Sequence, residues 1–458
     1  MSVGRRAGER QQEFWVATQD MSAVPRHAFY DELNRLLADA GFDEWVEKFC
    51  EPYYAQGGRP SIPPGVYFRM LLIGYFEGID SQRGIAWRCA DSRSLRRFLG
   101  YAETEETPDH SSLTKIRQRL PLEVFNEVFG FVLEMVDEQG LLKAKTVGVD
   151  ATTLEANAAM KSIVRKDSGD DWEEYLKGLA AEEGVEIKDK ADLIRYDKQR
   201  KKQGKKTVSN KDWESPADED ARIARMKDGR THLAYKAEHV VDLETEAIVA
   251  AEIYHADQGD AATMIESLET AQENLNQAGT CRNIEKVVAD KGYHKAETIA
   301  ECDELGCFGV KTYIPEPERP TQRRWTDKPE SHKRAVYENR RRTRRGYGKR
   351  LQRRRSEVVE RSFAHTCETG AARRSWLRGI ENLRKRYSLQ AAAHNLGLIL
   401  RKIFGTGKPR SLQGGGRLVG GCLSLTVAEL QVTLRPTRGQ FGAIGRPMLR
   451  RQPLTLAA

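Results

Sequence analysis

Two short apolar runs, each closing on an aspartate, limit the folds open to this chain. The first is Lys145-Thr146-Val147-Gly148-Val149-Asp150. The second is Ile284-Glu285-Lys286-Val287-Val288-Ala289-Asp290-Lys291-Gly292-Tyr293. Both read as buried strands ending on a bare carboxylate. In strand alternation Thr146, Gly148 and Asp150 share one face, so the smallest side chain stands beside the acid. The runs are far apart and have helical patterns around them, which predicts a mixed α/β domain with helices covering a central sheet. In that layout Asp150 and Asp290 end neighbouring central strands.

A third acid, Glu360, lies in Ser356-Glu357-Val358-Val359-Glu360-Arg361-Ser362-Phe363, a run of helical character. Taken singly, each acid has an ordinary explanation. An aspartate at a strand end is commonly a turn or helix cap, and a helix glutamate is commonly solvated. Taken together, they predict a carboxylate cluster assembled by folding. Carboxylates a few ångströms apart repel, and a cation must neutralise them or one takes a proton. Hard divalent ions suit all-oxygen ligands, and two such ions stabilise the attacking and leaving oxygens of phosphoryl transfer. The pattern therefore points to metal-dependent nucleic-acid chemistry.

The charge distribution agrees. The net charge is +8, but Arg319 to Arg355 holds sixteen Lys/Arg against three Asp/Glu, a local balance of +13, so the rest sums to −5. One concentrated basic block, immediately before Glu360, suggests contact with a polyanion. The 458 residues suffice for two or three domains. No apolar run approaches a bilayer span, and Met1 to Gln12 lacks the apolar core of a secretory signal, so a cytoplasmic location is expected. Seven scattered Cys without CxxC pairs predict neither a zinc site nor a disulfide framework.

From about His27 to Gly140 the spacing is helical. Pro63-Pro64 opens one helix, Ser81 and Asp91 are candidate caps for two short ones, and Asp109 caps another. That last helix carries Ser111, Ser112, Lys115, Gln118 and Arg119 on its polar side, a candidate DNA-reading face if the region is a helix-turn-helix. Pro121 starts a longer amphipathic helix that Gly140 stops. The segment 161–230 is rich in charge and poor in apolar residues. It reads as an insertion, helical near Trp172–Leu179 and otherwise mobile, with a basic run at Lys198–Lys206. Then come a strand at His232–Val241, its hairpin partner at Ala247–Ile253, a helix at Asp260–Gln277, the Asp290 strand, a helix at Ala296–Leu305, a strand at Phe308–Ile314 and the Glu360 helix. On that helix Val359 and Phe363 form the apolar face, with the small Ala364 and Cys367 on the side of Glu360. A long helical pattern spans Trp376 to Phe404, and a poorly ordered tail is expected beyond Gly405. The expected domains are 1–25, a flexible terminus; 26–140, helical; 141–404, the α/β domain with its insertion; and 405–458, the tail.

The stretches PDHSSLTKIRQRL, VGVDATTLEANA, AYKAEHVVD, VVADKGY and EVVERSFAH occur in this order. As a set they resemble bacterial insertion-sequence transposases of the DDE class, with an RNase H-like catalytic domain behind a helical N-terminal domain. The resemblance implies that Asp150, Asp290 and Glu360 form the catalytic triad. It further implies that they hold two Mg²⁺, with Mn²⁺ as a substitute, and that Asp150 bridges the ions. Water attack at the transposon end would free a 3′-OH, which would then attack target DNA. Relatives often carry a Tyr and an Arg before the Glu and a Lys seven residues after it; Arg353, Ser356 and Cys367 stand there. Phosphate contacts are then expected from Arg340, Arg341, Arg342, Arg344, Arg345, Arg353, Arg354, Arg355, Arg361, Arg373 and Arg374. The implied partner is double-stranded DNA, terminal repeats and target site alike, bound by a homodimer at the bacterial nucleoid, with no membrane role. A catalytically inactive DNA-binding descendant and an RNase H-like nuclease without strand transfer are the alternatives.

Overall fold

The computed structural model describes residues 27–55, 57, 61–203, 210–225, 229–305, 309–318, 323 and 325–412. The expectations for the 1–25 terminus, for the end of the Lys198–Lys206 run and for the tail from 413 onward fall outside these residues.

Seven helices come first: α1 (Ala28–Asp39), α2 (Phe42–Cys50), α3 (Pro64–Glu77), α4 (Gln82–Asp91), α5 (Arg93–Phe98), α6 (His110–Arg119) and α7 (Leu122–Glu138). Their boundaries follow local chemistry. Pro64 opens α3, where a missing N–H costs nothing. Ser81 caps α4 by accepting from the Gly84 amide, and Asp109 caps α6 by accepting from Ser112. The expected cap at Asp91 is corrected to Ser92, whose hydroxyl accepts from the Leu95 amide; Asp91 is the last residue of α4. Ser is the shorter side chain and sits one residue later, where the backbone is already extended.

The sheet is built from β1 (Thr146–Glu155), β4 (Arg222–Arg225), β5 (Thr231–Asp242), β6 (Ile248–His255), β7 (Lys286–Val288) and β8 (Lys311–Tyr313); β2 (Val164–Arg165) and β3 (Trp213–Glu214) form a separate ribbon. Across the sheet the order is β6, β5, β1, β7, β8. The first three strands are antiparallel, and β1, β7 and β8 run parallel. Ala234 pairs with Glu155 on one edge of β5 and with Arg222 on the other, so β4 prolongs the edge that β6 occupies. The mixed sheet flanked by helices is the one expected.

The segment 161–230 is more structured than expected. Helices α8 (Trp172–Glu182) and α9 (Lys190–Lys202) share a small apolar cluster of Leu176, Ala180, Leu193 and Tyr196. The four-residue strand β4 joins the main sheet. Charged residues dominate the composition there, which hid the few apolar positions that meet.

Helix α10 (Asp260–Gln277) covers one face of the sheet. Helices α13 (Gly346–Phe363) and α14 (Ile380–Phe404) cover the other, and α11 (Ala296–Glu304) and α12 (Glu330–Arg344) pack beside β8. Helix α14 also lies along α7, tying the N-terminal helices to the sheet. Helix α12 lies in the basic block, whose helical form its charge concealed. Two asparagines stand in for absent strands at the sheet margins. Asn339 of α12 bonds both the N–H and the C=O of Ile314, at 2.9 and 2.8 Å. Asn395 of α14 does the same for Ile248. Each side-chain amide offers the donor and acceptor that a neighbouring strand would supply.

The entry into β1 hangs on Asp242. This fully buried carboxylate accepts from the Lys143 and Ala144 amides at 2.7 and 2.9 Å, and from the Glu244 amide and Thr245 hydroxyl of the β5–β6 turn. Ala144 takes a positive φ of 52° at that anchor. Removing the acceptor strands the buried Ala144 amide and three part-buried donors. Asp242→Ala is expected to lower unfolding free energy by about 2–4 kcal/mol, read from denaturant unfolding of the full chain.

Candidate active site

Strand β1 does not end at Asp150. It continues to Glu155, paired with β5 throughout, so the acid stands in mid-strand, a correction to the expected strand end. Pairing with β5 sustains the continuation, which the β-branched Thr152 and Thr153 suit. The parallel register Val147↔Val287 and Gly148↔Val288 carries Asp150 level with Asp290. Neighbouring strands lie about 4.8 Å apart, so the two carboxylates flank one gap.

Each acid is held by its own neighbours. Asp290 sits just past β7, where its carboxylate accepts from the Gly292 amide at 2.7 Å. It is thus the turn cap that a lone aspartate at a strand end suggests, and it is also adjacent to Asp150. A Cβ on Gly292 would come within 2.8 Å of an Asp260 oxygen and 3.0 Å of an Asp290 oxygen, so a larger residue would require these carboxylates to shift. Asp150 accepts from the Ala151 amide through Oδ1 at 2.8 Å and from Arg355 Nη1 through Oδ2 at 2.7 Å. Burial pushes the Asp150 carboxyl above its usual range; the Arg355 cation opposes the shift and the nearby Asp290 charge adds to it.

Gly148 explains how α13 comes so close. A Cβ there would meet Leu243 Cδ2 at 2.7 Å, Val359 Cγ2 at 2.8 Å and Arg355 Cγ at 3.1 Å. The absent side chain lets the Arg355 stem cross the strand and reach the acid two residues on. Further along the same face, His239 of β5 pairs across from Asp150. Its ring contacts the Ser362 hydroxyl and the Tyr387 hydroxyl at 2.8 Å each and stacks on Phe363. Burial drives its pKa well below the usual histidine range, so it is neutral and adds no charge.

Glu360 is exposed on α13 and accepts from the Ser356 hydroxyl at 3.0 Å. Gln352, Ser356 and Glu360 recur every four residues, on one helix face. Gln352 Nε2 donates to the carbonyls of Ala289 and Tyr313, so this face begins over the residue before Asp290. Asp150 and Asp290 are therefore brought together, while Glu360 lies on the helix above them. Among the described residues, no group of three or more His, Cys, Asp or Glu side chains is arranged to hold a metal ion. The expectation for Cys367 is corrected, while Ala364 is exposed one α-helical turn after Glu360, its amide bonded to the Glu360 carbonyl. The chain from Ala364 to Thr369 winds as a π-helix, so spacing by the α-helical turn fails beyond Ala364, and Cys367 is buried.

The opposite face carries a polar network that sequence reading passed over. Fully buried Glu238 accepts from Thr263 at 2.8 Å, Ser267 at 2.6 Å and the Tyr293 hydroxyl at 2.9 Å. Lys236 bridges Glu238 at 3.2 Å and Asp260 at 3.0 Å. Tyr293 follows Asp290 by three residues, so this network fixes the turn that carries the acid. Its only sequence signal is Lys and Glu inside the apolar strand AYKAEHVV.

The basic side chains divide by partner. Arg354 and Arg361 pair with Glu246, Arg340 with Glu316, Arg342 with the Thr312 carbonyl, and Arg373 with Glu368. Arg355 is buried on Asp150. Arg341, Arg344, Arg345 and Arg353 are exposed, and exposed Arg374 lies over the Trp376 ring. On α6, Ser111 donates to the capping Asp109, Ser112 is half-buried, Lys115 and Gln118 are exposed, and Arg119 lies over the Tyr54 ring. A cavity of about 220 Å³ lies apart from the acids, lined in part by Tyr67, Arg117, Trp376 and Arg386.

A mixed sheet with two level aspartates, a covering helix that carries a glutamate, and arginines along that helix define a nucleic-acid-processing α/β domain. Comparison with known families places it further. A transposase domain model (DUF772) matches residues 19–119, and a transposase DDE domain model matches residues 149–396. The second match spans over half of the chain, and the chain belongs to the DDE transposase family. It is accordingly a DNA transposase, from a family that generally uses divalent metal ions. Neither the curated proteins nor the solved structures compared with the chain yield a match. Among the described residues, no helix is long and apolar enough to cross a membrane.

The contact across Gly148 sets a prediction. Gly148→Ala is expected to push α13 from β1 and cost about 1–3 kcal/mol of stability, measured by thermal and denaturant unfolding. Unchanged stability would mean that the helix does not rest on the strand at this point.

Proposed function

We propose that this transposase cleaves the ends of an insertion sequence and joins the freed 3′-OH to target DNA, with Asp150, Asp290 and Glu360 as its catalytic acids. The observation that carries the reading is the level pair Asp150 and Asp290 with a cation already seated on Asp150. A carboxylate pair that recruits a guanidinium is a donor set fit for Mg²⁺ or Mn²⁺, which takes hard oxygen ligands. When bound, two divalent ions supply stabilisation of the attacking and leaving oxygens. Asp150 and Asp290 would hold them, Asp290 oriented by its Gly292 hydrogen bond, and Glu360 would join the set from α13. Its bond to Ser356 is a single exposed contact that a side-chain rotation breaks.

DNA binding falls to the exposed cations. Arg341, Arg344, Arg345 and Arg353 lie on α12, α13 and their junction, on the approach to Glu360, and contact phosphates without reading sequence. Arg374 extends this surface. Arg340, Arg354, Arg361 and Arg373 serve it after exchanging their acid partners for phosphate, and Arg342 after leaving the Thr312 carbonyl. Ser111, Ser112, Lys115, Gln118 and Arg119 of α6 are the candidate contacts to the terminal repeats. A homodimer holds two transposon ends together, acting on nucleoid DNA in the bacterial cytoplasm. The domains proposed for these tasks are 26–140 for end binding and 141–404 for catalysis.

Two measurements test the proposal. Asp150→Asn should reduce Mg²⁺-dependent nicking of the element's own ends by more than about a hundredfold; equal cutting by the two proteins removes Asp150 from the chemistry. Replacing Arg341, Arg344 and Arg345 by Glu should make the log affinity against log salt slope shallower by about 2–3, since each phosphate neutralised contributes about 0.9. An unchanged slope places the DNA elsewhere.

A further inference from the structure

Arg355 is an unusual residue to find on a catalytic acid. It is 8% exposed, and Nη1 bonds Asp150 Oδ2 at 2.7 Å, while its Nε is buried without a hydrogen-bond partner. The guanidinium therefore meets the carboxylate through one nitrogen, whereas the stable arrangement of Arg on a carboxylate or phosphate is a two-pronged fork. Asp150 in turn has both oxygens engaged, Oδ1 by the Ala151 amide and Oδ2 by Arg355. A divalent ion bound through Oδ2 would sit within a few ångströms of a buried positive charge. In a partly desolvated site that repulsion weakens the hold of each cation when the other is present.

Nothing covalent fixes the guanidinium there. Its stem crosses the open space at Gly148, and rotation about its side-chain bonds carries the head outward from the strand toward the half-exposed margin of α13 at Ser356. A DNA phosphate on that surface would give the unpartnered Nε an acceptor and complete the fork.

We propose that Arg355 is an exchangeable countercharge. It holds the cation position on Asp150 while the site is metal-free, yields it to a divalent ion, and transfers its guanidinium to a phosphate of bound DNA. Metal and DNA then favour one another's binding, since each removes Arg355 from the other's competitor state, and the coupling is reciprocal. This inference rests on the metal-dependent reading above. It adds that the chain guards its own site against metal until DNA arrives.

The test is Mn²⁺ binding to the full chain by titration calorimetry, without DNA and with a saturating DNA duplex. The proteins compared are wild type, Arg355→Met, Arg355→Lys and Asp150→Asn. Without DNA, Arg355→Met is expected to bind Mn²⁺ about tenfold or more tighter than wild type, because the internal competitor is gone. Arg355→Lys, which keeps the charge, should stay near wild type. DNA should tighten Mn²⁺ binding of wild type by a larger factor than that of Arg355→Met. In metal-free buffer Arg355→Met should melt below wild type, and saturating Mn²⁺ should remove the difference. A merely structural Arg355 would leave Mn²⁺ affinity unchanged or weakened in a folded Arg355→Met, and that result overturns the inference. Should that variant not fold, Arg355→Gln, which keeps a hydrogen bond and loses the charge, is read by the same criterion. If Mn²⁺ binding is lost in Asp150→Asn yet equal in wild type and Arg355→Met, the exchange fails while the metal site stands. If wild type and all variants bind no Mn²⁺, with or without DNA, the metal-dependent reading falls and the exchange with it.

Discussion

The contact of α13 with β1 at Gly148 is the point on which the site depends. A helix normally stands about 10 Å from a sheet, held off by side chains on both sides. Here one strand position offers no side chain, so Val359 and the Arg355 stem descend to the backbone. The guanidinium is thereby delivered to Asp150 from above, and the face bearing Ser356 and Glu360 is brought over the same part of the sheet. The carboxylates come from below, level with one another because β1 and β7 run parallel in register.

Three separate devices keep charged groups in place within an otherwise apolar framework. Asp242 is satisfied by backbone amides, which anchor the entry to β1. Glu238 is satisfied by three hydroxyls and Lys236, which fixes the turn following Asp290. Asp150 has one amide and one guanidinium. The first two are saturated by several donors each. The third is held by one backbone amide and by one nitrogen of a long side chain. A buried acid that is to receive a ligand must be stable without it and accessible to it, and an internal cation on a flexible stem meets both demands.

Much of the fold was legible because burial leaves periodic traces. The limits of α10 match the run Asp260–Gln277, and the hairpin β5–β6 and the long α14 follow their apolar spacing. The errors have three causes. Helices α9 and α12 are so charged that apolar periodicity is faint, yet each buries a few residues, Leu193 and Tyr196 in one, Ala335, Val336 and Asn339 in the other. Cys367 was misplaced because a π-helical turn breaks the spacing on which any face assignment relies. Strand β1 outran its expected end because pairing with β5, which is remote in sequence, sustains it past the acid.

The sequence by itself determined the strand–helix order, the two aspartates, the glycine beside one of them, and the basic block ahead of Glu360, since each is written in local pattern or residue type. Tertiary structure decided which charges meet. That Arg355 rather than Arg353 or Arg354 reaches Asp150, that Glu238 fastens Tyr293, and that Glu360 stays on the helix surface depend on helix rotation and strand register to within one residue. A turn of 100° about a helix axis exchanges a buried cation for an exposed one, and no composition or spacing in the chain records that angle.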